Sequence, residues 1–303
     1  MTNNSVLKGV FLVGLGATSY GMLATFVKLA YSKKGMTGLP FTPAEVITSQ
    51  FVLGILVILL INAFQKARKG TEVVKASKKN ITQLMIAGTS TGLTSIFYYL
   101  AVKYIPVSIG IVLLMQTVWM GVLLEIFLEK KRPSTVKIIA VGIVLAGTVL
   151  ATNLLQNQAT LDWRGIVLGI LAAASFTTTM FTANRVAIEI SSAQRSLYML
   201  LGGAVIVFIF ALYTQVTPFN YDIFYKWGIL LALFGTIIPP MLMNAGFPHT
   251  GIGLGSIVAS LELPVSVSMA FLVLGEQVVL SQWIGIALII FAIVIMNIQF
   301  QKK

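Results

Sequence analysis

The chain has 303 residues, of which 57% are apolar and only 10% charged, and its mean hydropathy is +0.93. A soluble domain carries roughly 25% charged residues, so a water-facing enzyme, a nucleic-acid binder and a disordered chain are excluded as classes. The long unbroken apolar runs point to a polytopic helical membrane protein, not to a β-barrel, whose strands read as ~10-residue alternating segments.

A membrane-crossing helix needs ~20 apolar residues. Ten such spans are expected along the chain: 7–30, 45–64, 81–103, 106–128, 134–152, 164–186, 194–213, 225–247, 250–274 and 281–299. Connections are short, and none leaves room for a soluble domain. Lys8 leads into the first span with no small-residue cleavage site behind it, so that span is expected to be retained.

The excess of 21 Lys/Arg over 9 Asp/Glu reads as topology, because cytoplasmic loops retain basic residues. With the N-terminus inside, the cytoplasmic face holds Lys8, the six cations of the 65–80 loop, Lys130, Lys131, Arg132, Lys137, Arg185, Arg195, Lys302 and Lys303. The opposite face holds only Lys28, Lys33, Lys34, Lys103, Arg164 and Lys226. Both termini are therefore expected in the cytoplasm, as an even span count demands, and the lipid bilayer is the expected partner, not nucleic acid. Cysteine is absent and His249 is the single histidine, so no disulfide, metal site or cofactor is expected.

Five spans plus five invites a test for an internal repeat. Gly9, Leu12, Leu15, Ala17 and Ser19 of the first span recur as Gly165, Leu168, Leu171, Ala173 and Ser175 of the sixth. Gly88–Thr89 matches Gly235–Thr236, and Glu129 matches Glu276 at the same spacing. That spacing sets Gln116 one position from the mate of Glu262. Each half (1–157 and 158–303) holds an odd number of spans, so the second must be inverted relative to the first. Inverted repeats typify secondary transporters that bind substrate near the midplane.

The glycine-then-Ala/Ser opening of spans 1 and 6, the run Ser260–Leu261–Glu262–Leu263–Pro264, the sequence Leu274–Gly275–Glu276 and Gly285 in the last span give the chain a resemblance to EamA-type members of the drug/metabolite transporter superfamily. The resemblance covers nearly the whole chain. It implies ten helices in two inverted five-helix repeats around a central cavity, and movement of small metabolites such as amino acids without ATP.

Span centres show where a polar path could run. Span 5 offers little beyond Thr148, and span 10 nothing, so these two are expected to face lipid. Spans 1, 3, 4, 6, 8 and 9 carry the candidate substrate-binding residues Tyr20, Thr91, Ser95, Tyr98, Tyr99, Gln116, Trp119, Ser175, Thr179, Glu262 and Ser266. Glu262 stands out. An ionised carboxylate at mid-depth costs at least ~2.5 kcal/mol, so it must face water, find a partner or hold a proton. It is the candidate for proton coupling or for an ammonium, which aromatic faces also attract. Pro239, Pro240 and Pro264 free carbonyls and are candidate kinks or hinges. Lys28 and Lys103 are expected to reach the outer surface from span ends and Arg185 and Glu125 the inner one, while Glu129 and Glu276 at span ends are expected to cap or pair locally. The small-residue pairs Gly165/Gly169 and Gly251/Gly255 are expected to bring helices together within the chain, leaving a monomer or a weak dimer.

The expected function is therefore secondary transport, as export of amino acids or related amines by alternating access. The alternative is a neutral or lipophilic cargo with Glu262 serving protons alone. Gly88–Thr89–Ser90–Thr91–Gly92 does match a Gly-x-Ser-x-Gly hydrolase pattern, but that pattern needs a strand-to-helix turn and a histidine partner. No charge ring or filter-like loop suggests a channel.

Overall fold

The computed structural model describes residues 3–68, 74–105, 107–130, 132–154 and 162–301. The repeat boundary expected at residue 157 lies outside them, as do Lys69, Lys131, Lys302, Lys303 and the side chain of Lys103. The helices are α1 (Asn3–Tyr31), α2 (Pro43–Ala67), α3 (Lys78–Tyr104), α4 (Val107–Leu114), α5 (Thr117–Glu129), α6 (Thr135–Ala151), α7 (Trp163–Arg185), α8 (Ser192–Thr214), the short α9 (Ile229–Ala232), α10 (Ile238–Ala259), α11 (Glu262–Leu274) and α12 (Leu280–Gln301). Among the described residues 8 helices are long and apolar enough to cross a membrane, and Thr135–Ala151 is a shorter apolar helix.

Local chemistry sets the helix ends. Thr42 accepts from the Glu45 amide at 3.2 Å while the Glu45 carboxylate accepts from the Thr42 amide at 2.8 Å, with Pro43 in the first turn, where no donor is needed. Ser191 and Gln194 start α8 in the same way. Ser77, Ser134 and Asp162 cap α3, α6 and α7.

One of the long helices, Phe224–Leu274, has 51 residues and covers two of the expected spans. It opens with two π turns, 224–228 and 233–237, that flank α9. Pro239 and Pro240 cannot donate to the carbonyls of Gly235 and Thr236, and the wider turn ahead of them absorbs that loss. Farther on, Gly251 adopts φ 72 and ψ 171, a left-handed conformation that glycine tolerates, and the chain reverses. Contacts along α1 record the reversal. Gly9 meets Gly246, His249 and Thr250, and Gly16 meets Pro239 and Met243. Gly14 meets Val258 and Leu261, and Gly21 meets Glu262 and Val265. The 238–250 arm thus runs antiparallel to α1 and the 252–265 arm parallel to it.

Two helical paths are interrupted at corresponding points. Between α4 and α5 the chain tightens at Met115–Gln116, where the Gln116 amide reaches back only to Leu113 O. Between α10 and α11 it tightens at Ser260–Leu261, where the Leu263 amide bonds Ser260 O. Both α5 and α11 have 13 residues and both end on a left-handed residue, Lys130 and Gly275.

The halves interlock. α1 packs on α10 and α11 of the second half, and α7 packs on α3, α4 and α5 of the first. α3 and α8 cross with backbones touching: a Cβ on Gly88 would lie 2.1 Å from Met199 O, and one on Gly202 1.9 Å from Met85 O. The last helices of the halves, α6 and α12, pair antiparallel through Gly147 and Gly285, with Gln282 Nε2 donating to Ala151 O at 3.0 Å. Gly165 and Gly169 seat Ile105 and Leu113, so that small-residue pair serves contacts within the chain.

Both ends of the bundle are tied by polar contacts. At one end Ser5 Oγ lies 2.9 Å from His249 Nδ1, and Lys137 donates to Glu125 at 2.7 Å, tight against Gly253. Glu125 was expected to reach the surface; instead the pair is largely shielded, because each charge finds its counterion across the α5–α6 turn. α12 runs antiparallel to α6 and returns to this end, so the start of α1 and the close of α12 lie on the same side. At the other end the fully buried Glu45 accepts from the Asn220 amide at 2.7 Å and from Gln215 Nε2 at 3.1 Å, and Lys28 pairs with Glu276.

Candidate functional site

A cavity opens between α3, α7, α8 and the 238–250 arm, with Tyr20 of α1 at its inner wall. It is lined by Tyr20, Thr91, Phe176, Thr179, Met180, Ala183, Ser196, Met199, Leu200, Pro240, Met243, Asn244 and Phe247, and its empty space is about 390 Å³ counting the open mouth. No charged side chain belongs to the lining. The cavity extends from mid-bundle toward the Gly251 end, since Ala183 is near the close of α7 and Ser196 near the opening of α8.

Four of the residues singled out from the sequence line this space: Tyr20, Thr91, Thr179 and Pro240. Thr179 shares a 2.8 Å hydrogen bond with Ser90, while Thr91 Oγ1 is buried with no hydrogen-bond partner. Ser175 contributes its carbonyl to the Thr179 hydroxyl at 3.3 Å, and Ser95 donates to Thr91 O at 3.4 Å. Neither of these serines lines the cavity.

Glu262 lies beside the cavity, not in its lining. It is the first residue of α11, where the interrupted helix restarts, and it is partly buried. Among the described residues no hydrogen bond or ion pair holds its carboxylate. Tyr20 and Tyr98 are both within its electrostatic reach. Tyr20 belongs to the cavity wall, its ring standing edge-on to Phe176 at 6.1 Å. Tyr98 continues to Tyr99 at 6.2 Å, and Tyr99 to Tyr31 at 6.5 Å. Ser266 follows Glu262 by one helical turn on α11 and is partly exposed.

Gln116 and Trp119 are not brought to this place. Trp119 Nε1 donates to Gln116 Oε1 at 2.8 Å, Gln116 Nε2 donates to Val112 O at 3.0 Å, and Trp119 is 37% exposed. The amide is spent on the broken turn and on its neighbour. The interruptions shift the repeat register by two: Thr117, not Met115, is the counterpart of Glu262. Pro264 is buried in the first turn of α11, so it removes no intrahelical bond and the break precedes it. Pro239 and Pro240 differ from it, for they follow directly on the second π turn with no break before them.

Asn244, Ser196, Phe247 and the methionines of the lining escaped the sequence reading. Asn244 could have been noticed as an amide four residues before Pro248 in an otherwise apolar span. Its exposure is 2%, its Nδ2 donates to Ser196 Oγ at 2.9 Å, and its Oδ1 has no partner. Ser90 lies inside α3 with its hydroxyl on Ala87 O at 2.7 Å, and Gly88 and Gly92 are contact points for α8, so the hydrolase-like pattern is a packing stripe here. Among the described residues no cluster of three His, Cys, Asp or Glu is placed to hold a metal.

No curated protein matches the sequence. A solved crystal structure with 15% identity aligns over 96% of this chain and 97% of its own length with a TM-score of 0.76, a likeness of fold alone. The pattern of the EamA-like transporter family matches twice, over residues 7–153 and 163–298, one match for each half. Two matches that together cover nearly the whole chain, on a helical fold with the same two-part build, make this multi-pass membrane protein a member of the EamA-like transporter family.

Proposed function

We propose that the chain is a secondary transporter that exports small organic metabolites, foremost amino acids or related amines, by alternating access between its two inverted halves. In this reading it crosses a cell membrane, a bacterial inner membrane, ten times with both termini in the cytoplasm, and works as a monomer or weak dimer. The observation that carries it is Glu262: a carboxylate with no hydrogen bond or ion pair among the described residues, at the restart of an interrupted helix that packs on α1. Such a group can receive an ammonium or a proton, and holding it unpaired at mid-depth is otherwise a cost to the fold. The helix interruptions support relative motion, since they divide two helices where the halves meet.

A second reading is favoured by the cavity lining, which has no charge. There the cargo is neutral or lipophilic, and Glu262 serves protons alone. The test is accumulation from a pooled metabolite mixture into proteoliposomes, read by mass spectrometry with and without a pH gradient. Wild type is expected to concentrate an amine or amino acid when the gradient is imposed, and Glu262→Gln is expected to abolish gradient-driven accumulation. Equal accumulation by both proteins would remove Glu262 from the mechanism.

A further inference from the structure

We propose that α11 is a gate arm at the outer end of the bundle, and that the Lys28–Glu276 ion pair is the latch that holds it closed. This deepens the alternating-access reading and rests on it.

α11 is built as an arm. It restarts after the break at Ser260–Leu261 and runs 13 residues, about 20 Å at 1.5 Å per residue. Its first turn is seated: Leu263 and Pro264 are buried, and Gly21 of α1 lies against Glu262 O and the Val265 side chain. Beyond Pro264 no residue of α11 is buried. Phe271 stands edge-on to Trp283 of α12 at 5.7 Å, a contact inside the second half that leaves the first half free of it. The far end closes on left-handed Gly275, and the Glu276 amide reaches back to Ala270 O at 3.2 Å. That cap makes Glu276 move with the helix. The Glu276 carboxylate accepts from Lys28 in the last turn of α1. Among the described residues no other side-chain hydrogen bond or ion pair joins the 262–276 segment to another helix.

The counterpart in the first half is built to stay. α5 has the same length and restarts after the break at Met115–Gln116, and at its far end Glu129 lies 3.4 Å from Arg185 of α7. One ion pair thus stands at each end of the bundle, each tying the end of an interrupted path to the first helix of the opposite half. But α5 is also anchored along its length. Thr117 shares its hydrogen bond with Thr177 at 2.8 Å, and Val118, Gly121 and Val122 are buried. Ser256 Oγ lies 3.2 Å from Val118 O, and Gly121 seats the same serine. Glu125 pairs with Lys137 at 2.7 Å against Gly253. Swinging α5 breaks a shielded ion pair and buried hydroxyl contacts. Swinging α11 breaks one ion pair whose side chains are 64% and 42% exposed, and apolar contacts that lipid replaces. The two arms share a plan, and the outer one is the one free to move.

The test reads arm position, not transport. The chain has no cysteine, so spin labels go on cysteines placed at Leu272 of α11 and at Tyr213 near the outer end of α8, both exposed. Inter-label distances are measured by pulsed electron resonance on the full chain in proteoliposomes. Glu276→Gln is expected to raise the population of the displaced arm about two- to fivefold, the worth of an exposed ion pair. Lys28→Gln is expected to do the same, and serves if the first variant does not fold. Lys28→Glu combined with Glu276→Lys is expected to restore the wild-type distribution. A second label pair, at Phe127 of α5 and Lys78 at the start of α3, is expected to keep its distribution in Glu129→Gln. An α11 distribution unchanged in both single variants would overturn the latch, as would a reversed pair that restores nothing. An α5 shift as large as that of α11 would overturn the asymmetry. A chain that moves no cargo but shows these shifts keeps its latch, and one that transports with α11 unmoved loses the latch alone, so the two readings fail separately.

Discussion

Thr117 is the structural counterpart of Glu262. Each is the first residue of a 13-residue helix that restarts an interrupted path, and each meets the first helix of the opposite half. Thr117 shares a 2.8 Å hydrogen bond with Thr177 of α7, while Glu262 lies against Gly21 of α1. One half closes this contact with paired hydroxyls. The other sets the Glu262 backbone carbonyl against Gly21, and the carboxylate of that residue has no hydrogen bond or ion pair among the described residues. This asymmetry gives a prediction that separates stability from function. Glu262→Gln is expected to raise the thermal unfolding temperature in detergent or leave it unchanged, because it removes a partly buried charge that nothing neutralises. Thr117→Val is expected to lower stability by about 1–2 kcal/mol, because Thr177 loses a partner. A large loss of stability in Glu262→Gln would make the carboxylate a structural group.

The crossing of α3 and α8 predicts a sharp contrast among glycines. Gly202→Ala would put a methyl 1.9 Å from Met85 O, a backbone atom that cannot swing aside. A loss of about 3 kcal/mol or failure to accumulate is expected. Gly142 on α6 has nothing within 4 Å of its missing Cβ. There alanine is expected to be neutral or to stabilise by up to about 1 kcal/mol through helix propensity. Thermal unfolding of the two variants side by side checks both.

Arg195→Met is expected to destabilise by about 3–5 kcal/mol, because it keeps the volume but takes the guanidinium donor from the carbonyls of Ala183, Val186 and Asn244 and leaves Thr182 O with the Val186 amide alone. Arg195→Lys is expected to recover part of this, since an ammonium lacks the planar fork that reaches several carbonyls at once. Equal stability of wild type and the methionine variant would show that the cage is dispensable.

The chain contains no cysteine, so single cysteines report topology without background. Cysteines at Ser5 and Lys78 are expected to react with an impermeant thiol reagent from the cytoplasmic side alone. Cysteines at Lys34 and Tyr221 are expected to react from the other side alone. Reaction of Ser5 and Lys34 positions from the same side would refute the orientation.

Much of this architecture is legible in the residues because it follows from hydropathy: long apolar runs, their polar breaks, and a glycine pattern that recurs in the second half. What escaped was decided by tertiary contact. Polar residues mark both pauses, Gln116–Thr117 in one and Ser260, Glu262 and Pro264 in the other, but they do not say that the helix stops at Met115–Gln116 and Ser260–Leu261. Gln116 looked like a binding amide, yet the broken turn beside it and Trp119 use both of its ends. Glu125 and Lys137 read as separate surface charges because their pairing depends on how α5 turns into α6. Arg195 of α8 donates to the Asn244 carbonyl that Pro248 leaves without its helical partner, a contact that only the fold brings about.

The exchange of first helices between the halves has a consequence for biosynthesis. α1 leaves the ribosome first, but the arms it packs on, 238–250 and 252–265, are made near the end. At roughly 5–20 residues per second, α1 waits about 10–40 s in the bilayer with its glycine face bare. A truncated message ending before residue 238 would therefore leave an inserted but partnerless first helix, a natural target for membrane proteases, and the protein's yield should fall steeply with any delay in translating its last third.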